Sequence, residues 1–377
     1  MRTELRTLRQ LVRAFAEGDD ESLLWKAVDK VPYKLRRLLQ HEGDAGWRRV
    51  RRAVRTFCTA LAELLSRVLT EEARVRLLEC AHRMVPYAVR LAASGKALVQ
   101  AAVTVWNDAG AADPTRSAAQ RVLEAVARQS QSGLVDRMLR AVCTGRVYGA
   151  EGAARVFAAA DPNIAYRMAF LQVQELALAL RRGRDHVATT VYAKRLRWWA
   201  TVLSQVPALH PLGFPHGEVV LGWMRLFEGR DALRWRLQGA DCLIEVMNAV
   251  KVYMPVAPLL LEMTGVKLPK EEEEALAYRL LQVAAAWVEH PAFPEMGATL
   301  VRRLGKGQPR ALDRARKRIR EDVESALQRR RDGVHGSAVW RVQQLLVAEE
   351  ERKTRERRVD GKADEVDREQ LVPLEWD

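Results

Sequence analysis

The sequence is poor in the residue patterns that enzymes use for catalysis. Its 377 residues include four cysteines, none of which forms a CxxC pair. In a chain of this length, cysteines scattered in this way are typical of reduced and mostly buried thiols. The seven histidines are isolated, and there is no GxSxG, HExxH or Walker sequence. We therefore expect no enzymatic activity, no cofactor, no metal site and no small-molecule substrate.

Long apolar runs and alternating strand patterns are also missing. No apolar segment approaches the roughly 20 residues that a membrane-spanning helix needs. The charged opening MRTELRTLRQ lacks the apolar core of a signal peptide. No alternation of apolar and polar residues is long enough to predict a strand. These absences favour a soluble, intracellular, all-α protein with no membrane partner.

Apolar residues recur instead at helical spacing, most clearly over residues 210–263. Prolines mark the turns of that stretch, and the central helix has an apolar stripe. The stripe consists of Leu233, Leu237, Ala240, Ile244 and Met247. We expect Leu237 and Ile244 to be deeply buried. Short amphipathic helices without the strict period of a named repeat predict an irregular HEAT/armadillo-like helical repeat array, an α-solenoid.

The array is expected to form one domain over residues 1–350, with any subdivision near residues 150–160. Residues 351–377 are rich in charge and poor in apolar residues, so we expect a tail that is disordered until bound. A further helix is expected over residues 338–351.

A helix start is predicted at Asp161-Pro162, a capping aspartate followed by proline at the first helical position. The helix continues to about Arg181 and carries two apolar stripes. They are Ile164, Met168, Leu171 and Leu178 on one side, and Phe170, Val173, Ala177 and Leu180 on the other. We expect both sides to be buried, as in an inner helix of an array.

Positive charge is concentrated in three segments. The chain has a net charge of +14 and a sequence pI near 10.0, and residues 34–55, 181–197 and 302–331 together exceed that net charge. Such segments favour polyanions, although a solvated helix face, an acidic protein partner or a nuclear-import signal are alternatives. The expected nucleic-acid contacts are Arg302, Arg303, Lys306, Arg314, Arg316, Lys317, Arg318, Arg320, Arg48, Arg49 and Arg52.

Ten tryptophans are present, and two of them adjoin basic residues at positions 194–199. An Arg–Trp cluster of this kind stacks on bases or binds a partner helix, whereas the alternative is packing in the core. The expected partner-binding residues are Arg195, Trp198, Trp223 and Tyr253.

Ordered packing motifs run through the same region. Residues 210–226 contain HPL, then VLG, then RL, and residues 255–262 read PVAPLLLE. Further motifs occur at residues 161–166, 195–199 and 292–295. In this order and spacing the chain resembles the nucleolar complex protein 2 family of ribosome-assembly factors, and in weaker form the resemblance covers most of the sequence.

The resemblance implies a non-catalytic scaffold in the nucleolus or nucleus that acts in assembly of the large ribosomal subunit. It also implies that the chain binds the pre-60S particle and its pre-rRNA, and that it pairs with a second nucleolar complex protein, of type 1 or type 3. The alternative is a helical-repeat enzyme or binding module acting on nucleic acid, such as a base-excising glycosylase. That alternative needs a carboxylate near an aromatic cleft, for which Asp185 and Asp241 are the candidates.

Overall fold

The computed structural model describes residues 2–17, 20–67, 70–129, 132–144, 149–230, 232–290, 292–305 and 309–331. These residues form α-helices and two short 3-10 helices, without a strand. The helix expected over residues 338–351 and the tail over residues 351–377 lie outside them. The α-helices are α1 (Arg2–Glu17), α2 (Glu21–Leu65), α3 (Glu71–Ala88), α4 (Ala92–Trp106), α5 (Asp113–Gln129), α6 (Ser132–Thr144), α7 (Ala150–Ala159), α8 (Pro162–Arg181), α9 (Arg184–Val187), α10 (Thr190–Gln205), α11 (Gly213–Arg225), α12 (Ala232–Val250), α13 (Ala257–Leu261), α14 (Lys270–Ala285), α15 (Phe293–Leu304) and α16 (Arg310–Arg331).

The described residues divide into two compact units. Unit 1 contains the described residues through Leu226 together with Asn248–Val252, and unit 2 contains Phe227–Met247 and the described residues from Tyr253 onward. The division therefore falls after α11, and not near residues 150–160. Packing continues across that earlier position, because α7 contacts α5 and α6 while α8 contacts α6 and α7.

Unit 1 is built from helices that pack on their near neighbours in the chain. Contacts join α2 to α4, α3 to α5, α4 to α6, α5 to α7 and α6 to α8, in addition to contacts between consecutive helices. Packing of each helix on the second helix along the chain is the arrangement of stacked helical repeats. The predicted class, an irregular all-α repeat array, is confirmed.

Helix ends follow local sequence signals. The Asp161 carboxylate accepts hydrogen bonds from the backbone N–H groups of Asn163, at 2.9 Å, and Ile164, at 3.3 Å, so α8 begins as predicted. The sequence predicts that a helix beginning near Ser22 breaks at Pro32, and this prediction is wrong because α2 continues through Pro32. The interruption lies instead at Gly43, whose φ of 52° and ψ of −131° leave the helical region.

Unit 2 contains α12 up to Met247 together with α13 to α16, and its packing is strongest where α16 lies against α14 and α15. Gly297 of α15 faces α16 so closely that a Cβ there would overlap a methyl group of Val323. In α12, Ile244 is buried as predicted, but Leu237 is only half-buried. The buried side of α12 is rotated toward Arg236, which the sequence pattern places off the stripe.

Candidate functional site

One arginine-rich surface lies on α2, after the interruption at Gly43. Arg48, Arg51, Arg52 and Arg55 follow one another at helical spacing, so they project from one side of the helix. All four side chains are exposed, and none forms an ion pair with a carboxylate of the described residues. These four residues are called the α2 arginine row. It includes two of the predicted nucleic-acid contacts, Arg48 and Arg52.

The third predicted contact on α2, Arg49, is exposed beside the row. The row belongs to a helix whose opposite side is anchored in the core by Val50, Val54 and Phe57. Nearby, the guanidinium of Arg90 lies 5.0 Å from the ring centre of Trp47 and stacks on it. A rigid helix thus presents four unpaired cations to solvent.

The second arginine-rich surface, on α16, is neutralised in part by its own carboxylates. Asp313 accepts a 2.8 Å hydrogen bond from Arg316, and its carboxylate lies 3.3 Å from the ammonium group of Lys317. Arg318 pairs with Glu321 at 3.2 Å and with Asp322 at 3.7 Å. Hydrogen bonds from Arg316 and Lys317 lower the pKa of Asp313, so this acid is ionised near neutral pH.

Arg316 is also buried, which removes it further from an external ligand. Carboxylates of the same helix therefore pair with three of the predicted nucleic-acid contacts, Arg316, Lys317 and Arg318. Engaged cations of this kind are poor candidates for binding phosphate, because a competing anion must first displace the carboxylate.

Unpaired cations do occur where α15 meets α16. Arg302 and Arg320 line a cavity of about 430 Å³ together with the engaged Arg316 and with Glu324. Arg303 and Arg314, which were also predicted, are exposed on the same two helices. Within the described residues these four arginines form no ion pair. The predicted contact Lys306 lies outside the described residues.

The residues expected to bind a partner separate into core and surface. Trp223 is fully buried, and its indole N–H donates a 2.9 Å hydrogen bond to the carbonyl oxygen of Val187. Trp198 is buried against Trp199, with ring centres 4.9 Å apart. Both expectations are corrected, because these two indoles pack within unit 1 and are not available to a partner. Arg195 is half-buried and bonded to Gln172 at 3.2 Å.

Tyr253 is exposed and lines an apolar groove in unit 2. The groove has a volume of about 690 Å³, and α13, α14 and α15 contribute its walls. Its apolar lining includes Pro258, Leu261, Trp287, Phe293, Met296 and Leu300. The Tyr253 ring packs edge-on against Trp287, with centres 5.0 Å apart. Glu262, Glu295 and Arg303 supply the charged groups of the groove.

Arg236 is the polar residue that the sequence pattern missed. It is 5% exposed and donates hydrogen bonds to the carbonyl oxygens of Leu259, at 2.7 Å, and Phe227, at 3.2 Å. It also pairs with Glu262 at 2.7 Å. One guanidinium therefore ties α12 to the PVAPLLLE segment. The burial of Arg236 could have been predicted from its position, three residues after Leu233 and four before Ala240, which places it on the apolar side of α12.

Comparison with known proteins identifies the region that contains these buried contacts. Residues 152–280 match the Noc2p family. The resemblance predicted from the sequence is confirmed over this segment, which runs from α7 into α14 and is called the Noc2p segment below.

The comparisons also match a curated protein and a solved structure. Nucleolar complex protein 2 of Drosophila melanogaster is 24% identical over 288 residues, which are 70% of this chain and 35% of that protein. The chain thus spans about a third of the length of this curated relative. Among solved structures, a circular tandem repeat protein with novel repeat topology and enhanced subunit contact surfaces is 16% identical, with a TM-score of 0.24. That alignment covers 96% of this chain and 92% of the other.

A second buried polar group of the Noc2p segment is His216, in the first turns of α11. Its Nε2 lies 3.1 Å from the carbonyl oxygen of Leu196 and donates to it when protonated. Complete burial lowers the pKa of His216 to about 4, which keeps the ring neutral near pH 7. Together with Trp223 and Arg236, it shows that the motifs of the Noc2p segment fix helix packing.

Two cysteine thiols are buried, and of the two carboxylates considered for catalysis one is paired and one is exposed. Burial raises the pKa of the Cys58 and Cys80 thiols to about 12, so neither is a thiolate near neutral pH. Asp241 is bound by Arg279 at 3.2 Å, and Asp185 is exposed on the short helix α9. Within the same residues, no helix is both long and apolar enough to cross a membrane. No group of three or more His, Cys, Asp or Glu there could hold a metal ion.

Proposed function

We propose that this protein is a non-catalytic scaffold that acts in assembly of the large ribosomal subunit in the nucleolus. The observation that carries the proposal is the Noc2p match over residues 152–280. A relative that is 24% identical over 288 residues is named nucleolar complex protein 2, which supports the nucleolar assignment. The groups that hold the Noc2p segment together are packing groups, which suits a protein whose task is to present surfaces.

The proposed ligand of the α2 arginine row is the phosphate backbone of pre-rRNA. Four unpaired guanidinium groups on one helix side favour phosphates, because each can replace counterions condensed on the RNA. No exposed aromatic side chain interrupts residues 48–55, so the row does not offer a stacking platform for bases. The interaction is therefore expected to be independent of RNA sequence.

The α15–α16 surface has a secondary role in this proposal. Arg302 and Arg320 flank a cavity that also contains Glu324, so an anion there meets both attraction and repulsion. We assign to it a weaker phosphate contact than to the α2 row.

The proposed protein partner is a second nucleolar complex protein of type 1 or type 3.

The proposal is tested by tagging the protein in its own cells and sedimenting the lysate through a density gradient. We expect the chain to sediment with pre-60S particles and to move to the top of the gradient after RNase treatment. Fluorescence of the same tag is expected in the nucleolus. Sedimentation with RNase-resistant complexes away from the nucleolus would contradict the proposal.

The enzymatic alternative requires its own assay. Purified protein is incubated with duplex DNA that carries a damaged base, and base release is measured. We expect none, and release that disappears in Asp185→Asn or Asp241→Asn would overturn the non-catalytic assignment.

A further inference from the structure

The outer side of α8 is apolar but is not covered by unit 1. Two-sided burial was expected for this helix, and the structure buries one side through Ala165, Met168, Ala169, Gln172, Val173 and Leu176. The other side exposes Tyr166, Phe170, Leu171 and Leu178, which are 38%, 48%, 40% and 46% accessible. The expectation of two buried sides is wrong for the chain alone.

The exposed apolar residues lie on one side of α8, which also carries the polar Gln174 between Phe170 and Leu178. At 100° per residue, Phe170, Leu178 and Leu171 span an arc of about 100°, the width of an apolar stripe that normally faces a core. The outer side of α5, by contrast, carries Ser117, Arg121 and Arg128. Large apolar side chains grouped on a helix surface mark an interaction site more often than scattered ones do.

Charged residues near the stripe form ion pairs in the first part of α8, whereas those at its C-terminal end form none within the described residues. Near its N-terminal half, Arg167 pairs with Asp136 of α6 at 2.6 Å. In the middle, Glu175 pairs with Arg195 of α10 at 3.5 Å. At its C-terminal end, Arg181 and Arg182 are exposed and form no ion pair within the described residues.

The neighbouring helix extends this pattern. The Tyr192 hydroxyl donates a 2.9 Å hydrogen bond to the carbonyl oxygen of Leu176, so the start of α10 lies beside the second half of α8. Val191, next to Tyr192, is 56% exposed, and Lys194 is exposed without an ion pair in the described residues. The surface formed by Tyr166, Phe170, Leu171, Leu178, Arg181 and Arg182 is called the α8 stripe.

We infer that the α8 stripe docks an amphipathic helix of another protein, whose apolar side covers Phe170, Leu171 and Leu178 and whose carboxylates lie opposite Arg181 and Arg182. α8 has 20 residues and is therefore about 30 Å long, enough for five turns of a docked helix with anchors at i, i+3 or i+4, and i+7. The inference rests on the proposed function, since it names the surface and the chemistry by which the protein partner binds.

Charge decides between this occupant and two others. A second copy of the chain brings the same unpaired cations, at a net charge of +14, and no free carboxylate on its own stripe. RNA suits the arginines but leaves the apolar centre exposed to a charged backbone. An acidic amphipathic helix satisfies both parts of the surface.

The test uses the full chain and a variant that removes the apolar centre, Phe170→Gln with Leu178→Gln. The control is Tyr33→Gln with Phe214→Gln, which removes two exposed aromatic side chains elsewhere in unit 1. Binding is measured to purified nucleolar complex proteins of type 1 and type 3. We expect at least a tenfold weaker affinity for the α8 variant, and a change within twofold for the control. Equal affinities of the α8 variant and the unaltered chain would overturn the inference.

A charge arm tests the second half of the surface. Arg181→Glu with Arg182→Glu is expected to weaken the same complex about tenfold and to reduce its dependence on salt. If the charge-reversed variant binds as well as the unaltered chain, the partner does not place carboxylates opposite Arg181 and Arg182.

A peptide arm separates failure of the surface from failure of the proposed function. If neither nucleolar complex protein binds the unaltered chain, the proposed pairing is wrong. The α8 stripe is then probed with two synthetic 20-residue helices, identical in their leucine stripe and ending in glutamates or in lysines. Binding of the glutamate peptide alone, lost in the α8 variant, supports the surface. Equal binding of both peptides, or of neither, overturns it.

Sedimentation of the chain alone tests whether a second copy of the chain binds the α8 stripe. A dimer that the α8 variant converts to a monomer would overturn the inference in favour of self-association. Circular dichroism and melting of each variant are expected to match the unaltered chain, because the substituted side chains are exposed.

Discussion

Two arginine-rich helices, α2 and α16, resemble each other in sequence but differ in what their charges contact. In α16, Asp313 binds Arg316 and Lys317, and Glu321 and Asp322 bind Arg318. In α2, the arginine row forms no ion pair within the described residues, and after Asp44 the next acidic residue of the sequence is Glu63. A count of basic residues favours α16, whereas the ion pairs that form in the structure favour α2. Arg48 and Arg320 are unpaired within the described residues although Asp44 and Glu324 lie four residues away, so the availability of a cation is decided by the pairs that form and not by sequence spacing alone.

The largest effect is expected at Arg236, a buried cation bonded to two carbonyl oxygens and one carboxylate. Arg236→Ala leaves two buried carbonyl oxygens without their donor and is expected to cost about 3–5 kcal/mol of unfolding free energy, to which the freed Glu262 carboxylate, 59% exposed, adds little. The control Arg234→Ala, at an exposed site of the same helix, is expected to cost under about 1 kcal/mol. Urea unfolding measures both, and equal losses would show that Arg236 does not hold α12 to the PVAPLLLE segment.

The buried His216 is expected to make the stability of the protein depend on pH. Its pKa is about 4 when folded, against an ordinary value of 6.5, so the unfolded chain takes up the proton first. Stability is therefore lost as pH falls from about 6.5 toward 4, by about 3 kcal/mol in all from this group. In His216→Gln that part of the pH dependence should be missing. The difference between the two unfolding profiles isolates it from the carboxylates, and parallel profiles would contradict the assigned burial.

The unpaired arginines of α15 and α16 should have a smaller effect, on RNA affinity. Arg302→Gln with Arg320→Gln is expected to weaken binding of mixed-sequence single-stranded RNA about tenfold, because two phosphate contacts are lost. Arg316→Gln with Lys317→Gln removes the same number of charges, but engaged ones, and should change affinity less than about threefold. Filter binding at fixed salt compares the two. An equal loss in both variants would break the distinction between free and engaged cations.

The smallest effect is expected when cations of α16 that are now paired are freed by removing a carboxylate. Asp313→Asn should release Lys317 and weaken the hold on Arg316, and RNA affinity should rise by roughly the effect of one added contact. Glu17→Gln, which releases Arg13 far from α16 in sequence, is the matched control. If Asp313→Asn leaves RNA affinity and its salt dependence unchanged, neutralisation by Asp313 is not what keeps α16 from binding.

Local signals predicted much of the fold. The Asp161-Pro162 start fixed α8 because an aspartate cap and a proline at the first position act within one turn. Pro32 led to a wrong prediction for α2. A proline about three turns into a helix removes a helical hydrogen bond and usually breaks the helix, whereas α2 continues through it. Gly43, which has no Cβ to restrict φ, marks the actual interruption.

The orientation of side chains was less predictable, because it depends on neighbours that the sequence does not name. Both sides of α8 are apolar, but no helix of unit 1 covers the side that carries Phe170 and Leu178. Trp198 and Trp223 adjoin arginines or apolar residues in the sequence, and packing within unit 1 buries both. Arg236 lies on an apolar seam, and its burial became evident only with the carbonyl groups that it binds.

The salt dependence of RNA binding by the α2 arginine row tests the central claim most directly. The variant replaces Arg48, Arg51, Arg52 and Arg55 with Gln, and the control replaces Arg13, Arg76, Arg121 and Arg128, four cations already paired with carboxylates. Both lose four charges. For the row variant, the slope of log affinity against log salt should shrink by roughly 3, about 0.7 for each lost contact with single-stranded RNA, and affinity should fall alike for all sequences. The control should keep nearly the full slope. Equal slopes in the two variants, or a loss confined to one RNA sequence, would contradict the assignment of the row to the phosphate backbone.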